Sequence, residues 1–543
     1  MKTNRSVLFL PSALQPVLLC IIIVLTAAQS LGATRYVNLN NPSPVPPYVT
    51  WATAATNIQD AVDSAQAGDT VLVTNGVYAT GGLAVDGLMT NRVAVTKPLI
   101  LESVNGPALT VIQGYQIPGT TNGDGAVRCL YLSEGAVLAG FTLTNGATRT
   151  DGDGDREQSA GGVWCPSLAS TVSNCVVTHN SADHGGGVSG GTLNNCTLCG
   201  NSARSFGGGA AGGALNNCTF EGNSARYGGG VSDGLLNNCT LSNNFAESGG
   251  GVSGGVLENC TLAGNSADDG GGASGAMLKN CNLRKNLASY GGGANGGTLS
   301  DCTLSGNSAS VGGGVFIATL SNCTLNGNSA YAGGGAAYST LNNCALVANS
   351  ATDSGGGASG GTLNNSALTG YLASYGGGAS SCNLKNCIAC YNTARFSGDN
   401  FDSYSILNYC CTTPSPKTGT GNISTEPQLA SAFRLSAGSP CRRAGNASYI
   451  GGLDIDSELW ANPPSIGCDE YRTGGLTGPL SVGLVTAYTN VAAGFAVQFT
   501  AQIQGANRCE PLGFWGWGRD EQSAVRESCL GCAGRLYDRV ARV

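Results

Sequence analysis

The chain has 543 residues, of which 85 are glycine, and carries a net charge of −7. Only 11% of the residues are charged and 41% are hydrophobic, which excludes a highly charged disordered chain. The negative balance argues against nucleic acid as the main partner. The chain has only two histidines, which argues against a metal site or a catalytic triad built on histidine.

Residues 1–33 have the pattern of a secretory signal peptide. Two basic residues precede the apolar run 17–26 (VLLCIIIVLT), and small residues suited to cleavage follow up to Ala33. The alternative is an uncleaved anchor helix, although the run is short for a membrane span. We expect a secreted or cell-surface protein with no membrane span in the mature chain, in a compartment that permits disulfides.

Residues 56–66 predict a short amphipathic helix, because apolar residues at 58, 61, 62 and 65 recur at helical spacing. A turn at Gly68-Asp69 and a strand over 70–73 follow. A helix in this place would cover the open edge of the sheet that comes after it.

The segment 151–155 (DGDGD) is the best candidate for a metal site. Alternate carboxylates on a glycine-rich loop suit Ca²⁺, which prefers oxygen ligands. The segment departs from an EF-hand loop, because Arg156 replaces the turn glycine and no glutamate follows at the twelfth position. We predict Asp151, Asp153 and Asp155 as calcium ligands, with a solvated loop as the alternative, and no other cofactor.

From about residue 161 to 400 the sequence repeats every 21 or 22 residues. Cysteines keep this step from Cys175 to Cys387, with Ser366 in one place, and glycine triplets begin at 185, 207, 228, 249, 270, 291, 312, 333, 355 and 376. The consensus is roughly L-x-N-C-T-L-x-x-N-S-A-x-x-G-G-G-x-S-G-G-x. This unit is too short and too rich in Gly, Asn, Ser and Thr for helical repeats.

Such a unit cannot bury its own apolar side, but one rung of a parallel β-solenoid can, because each rung pairs with the next at ~4.8 Å. We place the cysteine, the leucine two residues later and the Val or Ala after the glycine triplet inside. The asparagine before the cysteine and the asparagine of N-S-A are placed at corners with stacked amides. The glycine triplets suit corners that need positive φ and tight stacking.

The repeat resembles that of the chlamydial polymorphic outer-membrane proteins. The stretch 304–315 (LSGNSASVGGGV) has counterparts of their F-x-x-N and G-G-A-I motifs. The resemblance covers about residues 35 to 412 and implies a right-handed parallel β-helix of the pectin-lyase-like type, in a surface protein of a Gram-negative-type bacterium. We therefore predict an all-β fold, with the β-helix over 34–412 and the helix over 56–66 as its N-terminal cap.

Residues 413–475 resemble the choice-of-anchor module that follows β-helices in surface proteins. The runs FRLSAGSPC, DID and IGCDEY follow its pattern, although Ser457 stands where Gly is usual and Cys468 where Ala is usual. The resemblance implies surface attachment or sorting, and we expect a cap on the last rung. Cys441 and Cys468 are a candidate disulfide, although spacing alone determines no geometry.

Residues 479–507 alternate apolar and polar, as at the start of a β-sandwich. Beyond them, 508–543 is rich in arginine and lacks a strand pattern. With one choice of codons for 512–519, a shift of one base gives WDFGDGD, the hallmark of polycystic-kidney-disease-type domains. We interpret 479–507 as the start of such a domain, truncated by an out-of-frame, disordered tail; the alternative is a divergent natural tail.

Two repeated features have a structural interpretation beside a functional one. The cysteine row is a candidate metal or redox array, but a small apolar side chain at one interior position explains it better. The N-C-T triplets, such as that of Asn195, match glycosylation acceptors and are equally the asparagine corners of the coil.

The two residues before each glycine triplet vary while the scaffold repeats, and they line up along one edge. A variable, partly aromatic edge on a regular scaffold predicts a binding strip; exposed turn residues are the alternative. Its members are Phe206, Arg226, Tyr227, Tyr290, Tyr331 and Tyr375.

No catalytic constellation is evident. Polysaccharide lyases and hydrolases on this fold place charged clusters on one face, framed by long loops, and only 113–128 and 147–161 leave room for loops here. Glu247, Asp268 and Asp269 are weak catalytic candidates, since no Lys or Arg recurs beside them. We predict a binding or adhesive scaffold for a polysaccharide or cell-surface partner, with a carbohydrate-active enzyme as the alternative. The sequence indicates no particular oligomeric state.

Overall fold

The computed structural model describes residues 32–85 and 87–472 in full, and the backbone of three strands beyond them. From residue 34 to 412 the chain coils through three long sheets, and each strand pairs with its counterparts in the preceding and following turns. The rungs have about 21 residues, and the fold is a right-handed parallel β-helix, as predicted.

Three sheets and a set of edge strands make up the coil. The first sheet contains Thr34–Val37, Thr70–Val73, Ile100–Ser103, Val137–Ala139, Thr171–Ser173, Thr192–Asn194, Ala214–Asn216, Leu235–Asn237, Val256–Glu258, Met277–Lys279, Thr298–Ser300, Thr319–Ser321, Thr340–Asn342, Thr362–Asn364, Asn383–Lys385 and Ile406–Asn408. The second contains Gly76–Tyr78, Thr110–Gln113, Thr142–Thr144, Val176–Thr178, Thr197–Cys199, Thr219–Glu221, Thr240–Ser242, Thr261–Ala263, Asn282–Arg284, Thr303–Ser305, Thr324–Asn326, Ala345–Val347, Ala367–Thr369, Ile388–Cys390 and Cys411–Thr412.

The third sheet contains Leu83–Ala84, Thr90–Val95, Val127–Leu132, Val163–Trp164, Val188–Ser189, Ala210–Ala211, Val231–Ser232, Val252–Ser253, Ala273–Ser274, Ala294–Asn295, Val315–Phe316, Ala336–Ala337, Ala358–Ser359 and Ala379–Ser380. Pairing is parallel throughout, apart from Leu83–Ala84, which is antiparallel to its neighbour. The edge strands, just before the glycine triplets, are Ser181–His184, Ser202–Phe206, Leu287–Tyr290, Ser308–Val311, Ser329–Ala332, Ser350–Ser354, Leu372–Tyr375 and Thr393–Ser397.

The predicted N-terminal helix is present as Ile58–Ser64. Its first turn is capped by Asn57, whose side chain accepts a hydrogen bond from the backbone N–H of Asp60 at 2.8 Å. The face formed by Ile58, Ala61 and Val62 is buried in the same hydrophobic cluster as the first rungs. Two short 3₁₀ helices, Trp51–Thr53 and Ala447–Tyr449, complete the helical content of the described residues.

The interior is filled by one side chain per rung in each of several rows. In a typical rung, Cys260 and Leu262 are at most 1% exposed, and so is Ala273 after the glycine triplet. The three predicted inward positions are therefore confirmed. The glycine prediction holds too: Gly270 has φ +65°, and a Cβ on Gly271 would lie 2.4 Å from the carbonyl oxygen of Leu287 in the next rung.

Two rows of asparagine run along the coil. The corner asparagine row precedes the cysteines at φ between 46° and 57° and consists of Asn174, Asn195, Asn217, Asn238, Asn259, Asn280, Asp301, Asn322, Asn343, Asn365 and Asn386. The inner asparagine row comes from the N-S-A motifs and their equivalents and consists of Asn180, Asn201, Asn223, Asn244, Asn265, Asn286, Asn307, Asn328 and Asn349, all at most 1% exposed.

The inner row corrects the prediction that both asparagines lie at corners, because these amides point inward. Asn265 shows the pattern: its Nδ2 donates to the carbonyl of Leu241 at 2.9 Å and to Oδ1 of Asn286 at 3.0 Å. Its own Oδ1 accepts from both the backbone N–H and Nδ2 of Asn244, each at 3.0 Å. The inward orientation leaves no buried polar group unpaired, because each amide nitrogen and oxygen has a hydrogen-bond partner in an adjacent rung.

Residues 413–472 have few regular elements and pack on the outer face of the last rungs; we call this segment the cap. Leu435 and Ile466 pack against the last strands of the second sheet, around Ala367 and Ile388. The predicted disulfide is not formed: Cys441 and Cys468 are free and buried. The carbonyl of Cys441 instead accepts from the N–H of Ile466 at 2.9 Å, two residues short of Cys468.

The cap also covers one end of the corner asparagine row. Asn386, Asn365 and Asn343 donate through Nδ2 to the carbonyls of residues 446, 449 and 453 at 2.9, 2.9 and 2.7 Å. The loop 446–453 therefore lies along the coil axis over three successive rungs, which buries three asparagines of a row whose other members are mostly exposed.

Beyond the cap, Ser481–Thr486 pairs antiparallel with Ala496–Gln504, which in turn pairs with Val540–Arg542. The other residues of the predicted segments 479–507 and 508–543 lie outside the described residues, as does the predicted signal peptide up to residue 31. Within the described part of the chain, no helix has the length and apolar character needed to cross a membrane.

Candidate functional site

The edge before the glycine triplets presents a row of side chains in register, which we call the edge row. Parallel pairing leads from Phe206 to Tyr227 and, three rungs further, to Tyr290. Four more rungs lead from Tyr290 to Tyr375. At ~4.8 Å per rung, the three tyrosines are spaced about 14 and 19 Å apart along the axis. Tyr331 lies one position earlier in its rung, in the neighbouring column.

Aromatic rings contact each other at the N-terminal end of the edge row. The rings of His184 and Phe206 have centroids 5.4 Å apart, and those of Phe206 and Tyr227 are stacked at 5.3 Å with an interplanar angle of 22°. The guanidinium of Arg226 lies over the Tyr227 ring at 5.2 Å and forms an ion pair with Glu247 at 2.9 Å. These contacts orient the exposed ring of Phe206 and the half-buried rings of His184 and Tyr227 on the regular scaffold.

The three carboxylates proposed as weak catalytic candidates lie on the same open edge. Glu247 is engaged by Arg226, and Asp269 accepts a hydrogen bond from Nδ2 of Asn295 at 3.1 Å. Asp268 follows Glu247 by one rung and is exposed. An exposed edge gives these groups no enclosure that would exclude water or orient a substrate, and catalytic carboxylates depend on both.

Sequence reasoning missed a second group of aromatic residues, just after the glycine triplets. Phe316 lies 5.2 Å from the Tyr290 ring, and Tyr338 lies 5.9 Å from Phe316, edge to face. Phe396, also missed, belongs instead to the edge strand Thr393–Ser397, and its ring lies 5.3 Å from that of Tyr375. Phe316 and Tyr338 stand where most repeats have Ser, Asn, Ala or Gly, and that departure from the consensus was the available signal.

Inserted loops flank the N-terminal end of the edge row. Arg128, buried and lying over Trp164, donates to the carbonyls of Ala160 at 2.9 Å and Ser159 at 2.7 Å. It thereby joins the insertion at 113–128 to the one at 147–161. The second loop continues the edge, since Ser159 pairs with His184.

The predicted calcium ligands are not brought together by the loop. Asp151, Asp153 and Asp155 are exposed, and Oδ1 of Asp153 accepts from the backbone N–H groups of Asp155 and Arg156 at 3.0 and 2.9 Å. Among the described residues, no group of three or more His, Cys, Asp or Glu side chains is arranged to hold a metal ion. The calcium site stays a prediction without convergent side chains.

The cysteine row is interior, as predicted, and its thiols are free. Burial raises the pKa of Cys175 to about 12, so this thiol is protonated at neutral pH. A protonated buried thiol is a poor nucleophile and a poor metal ligand. The row therefore behaves as a column of small apolar side chains.

Comparison with known proteins gives a likeness of fold and no family. No family model and no curated protein matches the chain. Similar solved structures include pectate lyase Pel9A, with 13% identity, a TM-score of 0.21, and coverage of 82% of this chain and 98% of the other. The A-module of the Azotobacter vinelandii mannuronan C-5 epimerase AlgE4 has 15% identity, a TM-score of 0.24, and coverage of 67% and 93%.

The PL6 family alginate lyase AlyGC has 11% identity, a TM-score of 0.30, and coverage of 73% of this chain and 58% of its own. TM-scores this low carry no argument about the activity of this chain. The assignment of the β-helix follows from the strand pairing described above.

Proposed function

We propose that this chain is an exported surface or extracellular scaffold that binds polysaccharide through its edge row and the adjoining aromatic residues. The observation that carries the proposal is the set of exposed and half-buried rings held in register along one edge of the coil, which includes Phe206 stacked on Tyr227. Rings fixed in advance lose little conformational entropy when they stack on the faces of sugar units. Export through residues 1–33 and attachment through 413–475 belong to the same proposal.

The test is the triple variant Tyr227→Ser, Tyr290→Ser and Tyr375→Ser. Exposed substitutions usually change stability by less than about 0.5 kcal/mol each, so the variant should melt close to the parent. Retention on immobilised polysaccharides, or attachment to cells, should fall to background. If the triple variant is retained as well as the parent, the edge row is only a solvent-facing turn.

One observation favours a second function. Glu247 and Asp268 come from successive rungs beside the aromatic edge, and paired carboxylates are the chemistry of glycoside hydrolysis. Incubation of the protein with polysaccharides distinguishes the two. Unsaturated products that absorb in the ultraviolet, or new reducing ends, would replace the binding proposal with a carbohydrate-active enzyme. The variant Glu247→Gln should then abolish product release.

A further inference from the structure

Part of the edge lies in a stretch without charge. The three successive arcs 286–300, 307–321 and 328–342, which run from the inner asparagine row to the first sheet, contain no Asp, Glu, Lys or Arg. The preceding rungs differ, since they present Arg226, Glu247 and Asp268 at the same edge. The composition of the edge therefore changes along the axis from charged to neutral.

The neutral stretch carries a cluster of three exposed side chains, Tyr290, Ile317 and Tyr338, around the half-buried Phe316, and we call these four residues the apolar patch. The exposed fractions of Tyr290, Ile317 and Tyr338 are 44, 57 and 62%. The ring contacts from Tyr290 through Phe316 to Tyr338 are continuous. Contiguous exposed apolar side chains on a soluble scaffold mark an interaction surface.

Two members of the apolar patch occupy a backbone conformation that disfavours them. Their column has glycine at 190, 212, 254, 275, 296 and 360, all at positive φ, and the small polar residues Asp233 and Ser381, each at φ 54°, at the other two positions. Ile317 and Tyr338 adopt the same left-handed conformation, at φ 51° and 52°. A β-branched residue is a genuine outlier there. Because both side chains are exposed, burial does not compensate for this strain, and residues kept in strained conformations concentrate at functional sites.

The backbone around Tyr338 also makes room for its ring. A Cβ added to Gly360, in the next rung, would lie 2.7 Å from ring carbons of Tyr338. The ring therefore extends along the coil axis over Gly360 and is in contact with Phe316 on the other side. The rings of Tyr290, Phe316 and Tyr338 are therefore held in contact across successive rungs, at interplanar angles of 42° and 90°.

We infer that the apolar patch binds a neutral polysaccharide whose chain runs along the coil axis. The inference rests on the proposed function and adds the class of ligand. Stacked rings recognise the C–H faces of sugar units, whereas uronate, sulfate or phosphate groups would find no cationic partner in these three arcs. The uncharged surroundings make the recognition insensitive to salt, in contrast to any binding that uses Arg226.

The testing variant restores the consensus of the column: Ile317→Gly combined with Tyr338→Gly. Glycine suits the positive φ at both positions, so the melting temperature should stay the same or rise. The probes are insoluble cellulose, mannan and curdlan as neutral polysaccharides, and alginate and polygalacturonate gels as acidic ones. The parent should sediment with at least one neutral probe and not with the acidic ones, at low and high salt.

Retention of the double variant on that probe should fall about tenfold or more, as expected when central aromatic anchors are removed. The matched control is Leu235→Ser with Met277→Ser, which removes two exposed apolar side chains from the first sheet, outside the patch. This control should bind like the parent.

Other outcomes overturn the inference in distinguishable ways. If the parent binds only acidic probes and Arg226→Ala abolishes that binding, the edge binds polysaccharide but the neutral class is wrong. If the parent binds no polysaccharide, the proposed function itself fails. If sedimentation shows that the parent is a dimer and the glycine variant a monomer, the patch is a contact between copies of the chain.

Discussion

The inner and the corner asparagine rows share a residue type, a period and a direction along the axis, yet they have different roles. In the inner row each amide is buried and uses all its donors and acceptors, as Asn265 does. In the corner row most amides face solvent, and Asp301 replaces asparagine without disturbing the coil. The same amide is therefore essential to the architecture where water cannot replace its partners, and exchangeable where water can.

The cap shows that burial, and not the position in the repeat, makes this difference. Where the loop 446–453 covers the corner row, Asn343, Asn365 and Asn386 become buried and bind its carbonyls. A corner asparagine thus acquires the properties of an inner one once another segment displaces solvent. Graded substitutions across the two rows can break or sharpen this comparison.

The largest effect is expected for Asn265→Asp in the inner row. The carboxylate loses both donors and brings an unpaired charge into a fully buried site, so the free energy of unfolding should fall by about 3–5 kcal/mol. The matched control is Asn259→Asp in the exposed corner row, which should cost less than about 0.5 kcal/mol. Chemical denaturation of the two variants measures the difference, and equal losses would refute the comparison.

A buried carboxyl in the cap extends the comparison to acidic residues. Burial raises the pKa of Asp469 to about 7, whereas Asp301 is exposed at its corner. The pKa of Asp469 is higher in the folded protein than in the unfolded chain. Its protonated carboxyl therefore contributes fully to the free energy of unfolding below about pH 4, and this contribution is lost as the pH rises through about 7. Between about pH 4 and 7 the free energy of unfolding should therefore fall by at most about 4 kcal/mol.

Melting curves of the parent and of Asp469→Asn between pH 4 and 8 test this prediction. The amide cannot ionise, so the stability difference between the two proteins should change with pH in the stated direction. A difference that does not vary with pH would mean that Asp469 is charged in the folded cap.

A smaller effect is expected for Asn343→Gly, where the cap covers the corner row. Glycine keeps the backbone at φ 54° but removes the hydrogen bonds to the carbonyl of Leu453 and to Oδ1 of Asn322. At about 1 kcal/mol for each net hydrogen bond, the variant should lose about 1–2 kcal/mol. Limited proteolysis should then cut the loop 446–453 faster than in the parent, while Asn259→Gly should leave the rate unchanged.

The smallest effect in the interior is expected for Cys281→Ala. This thiol is 3% exposed and fills space, so its removal should cost roughly 1 kcal/mol for a small loss of volume. Thermal unfolding under reducing conditions measures the change. A loss as large as that of Asn265→Asp would show that the thiol row contributes specific bonding and not only packing.

The sequence alone determined the length of the rungs and most of the side chains that fill their interior. A period of 21 or 22 residues places equivalent residues one above the other, because each strand of a parallel coil pairs in register with the equivalent strand of the next rung. For this reason the inward cysteines and leucines, the glycine corners, the helix Ile58–Ser64 and the alignment of Tyr227 with Tyr290 could all be predicted. Each of these depends only on local pattern and on the repeat length.

Only the tertiary structure decided how different columns meet. The inward orientation of Asn265 and the contact of Tyr290 with Phe316 depend on the angles of the corners between sheets, which the repeat length does not specify. The cap has no repeat, and its bonds to the corner row join residues 60 to 110 positions apart, as from Asn343 to Leu453. Partners at such separations are selected by packing and solvent exclusion, for which the linear sequence contains no periodic signal.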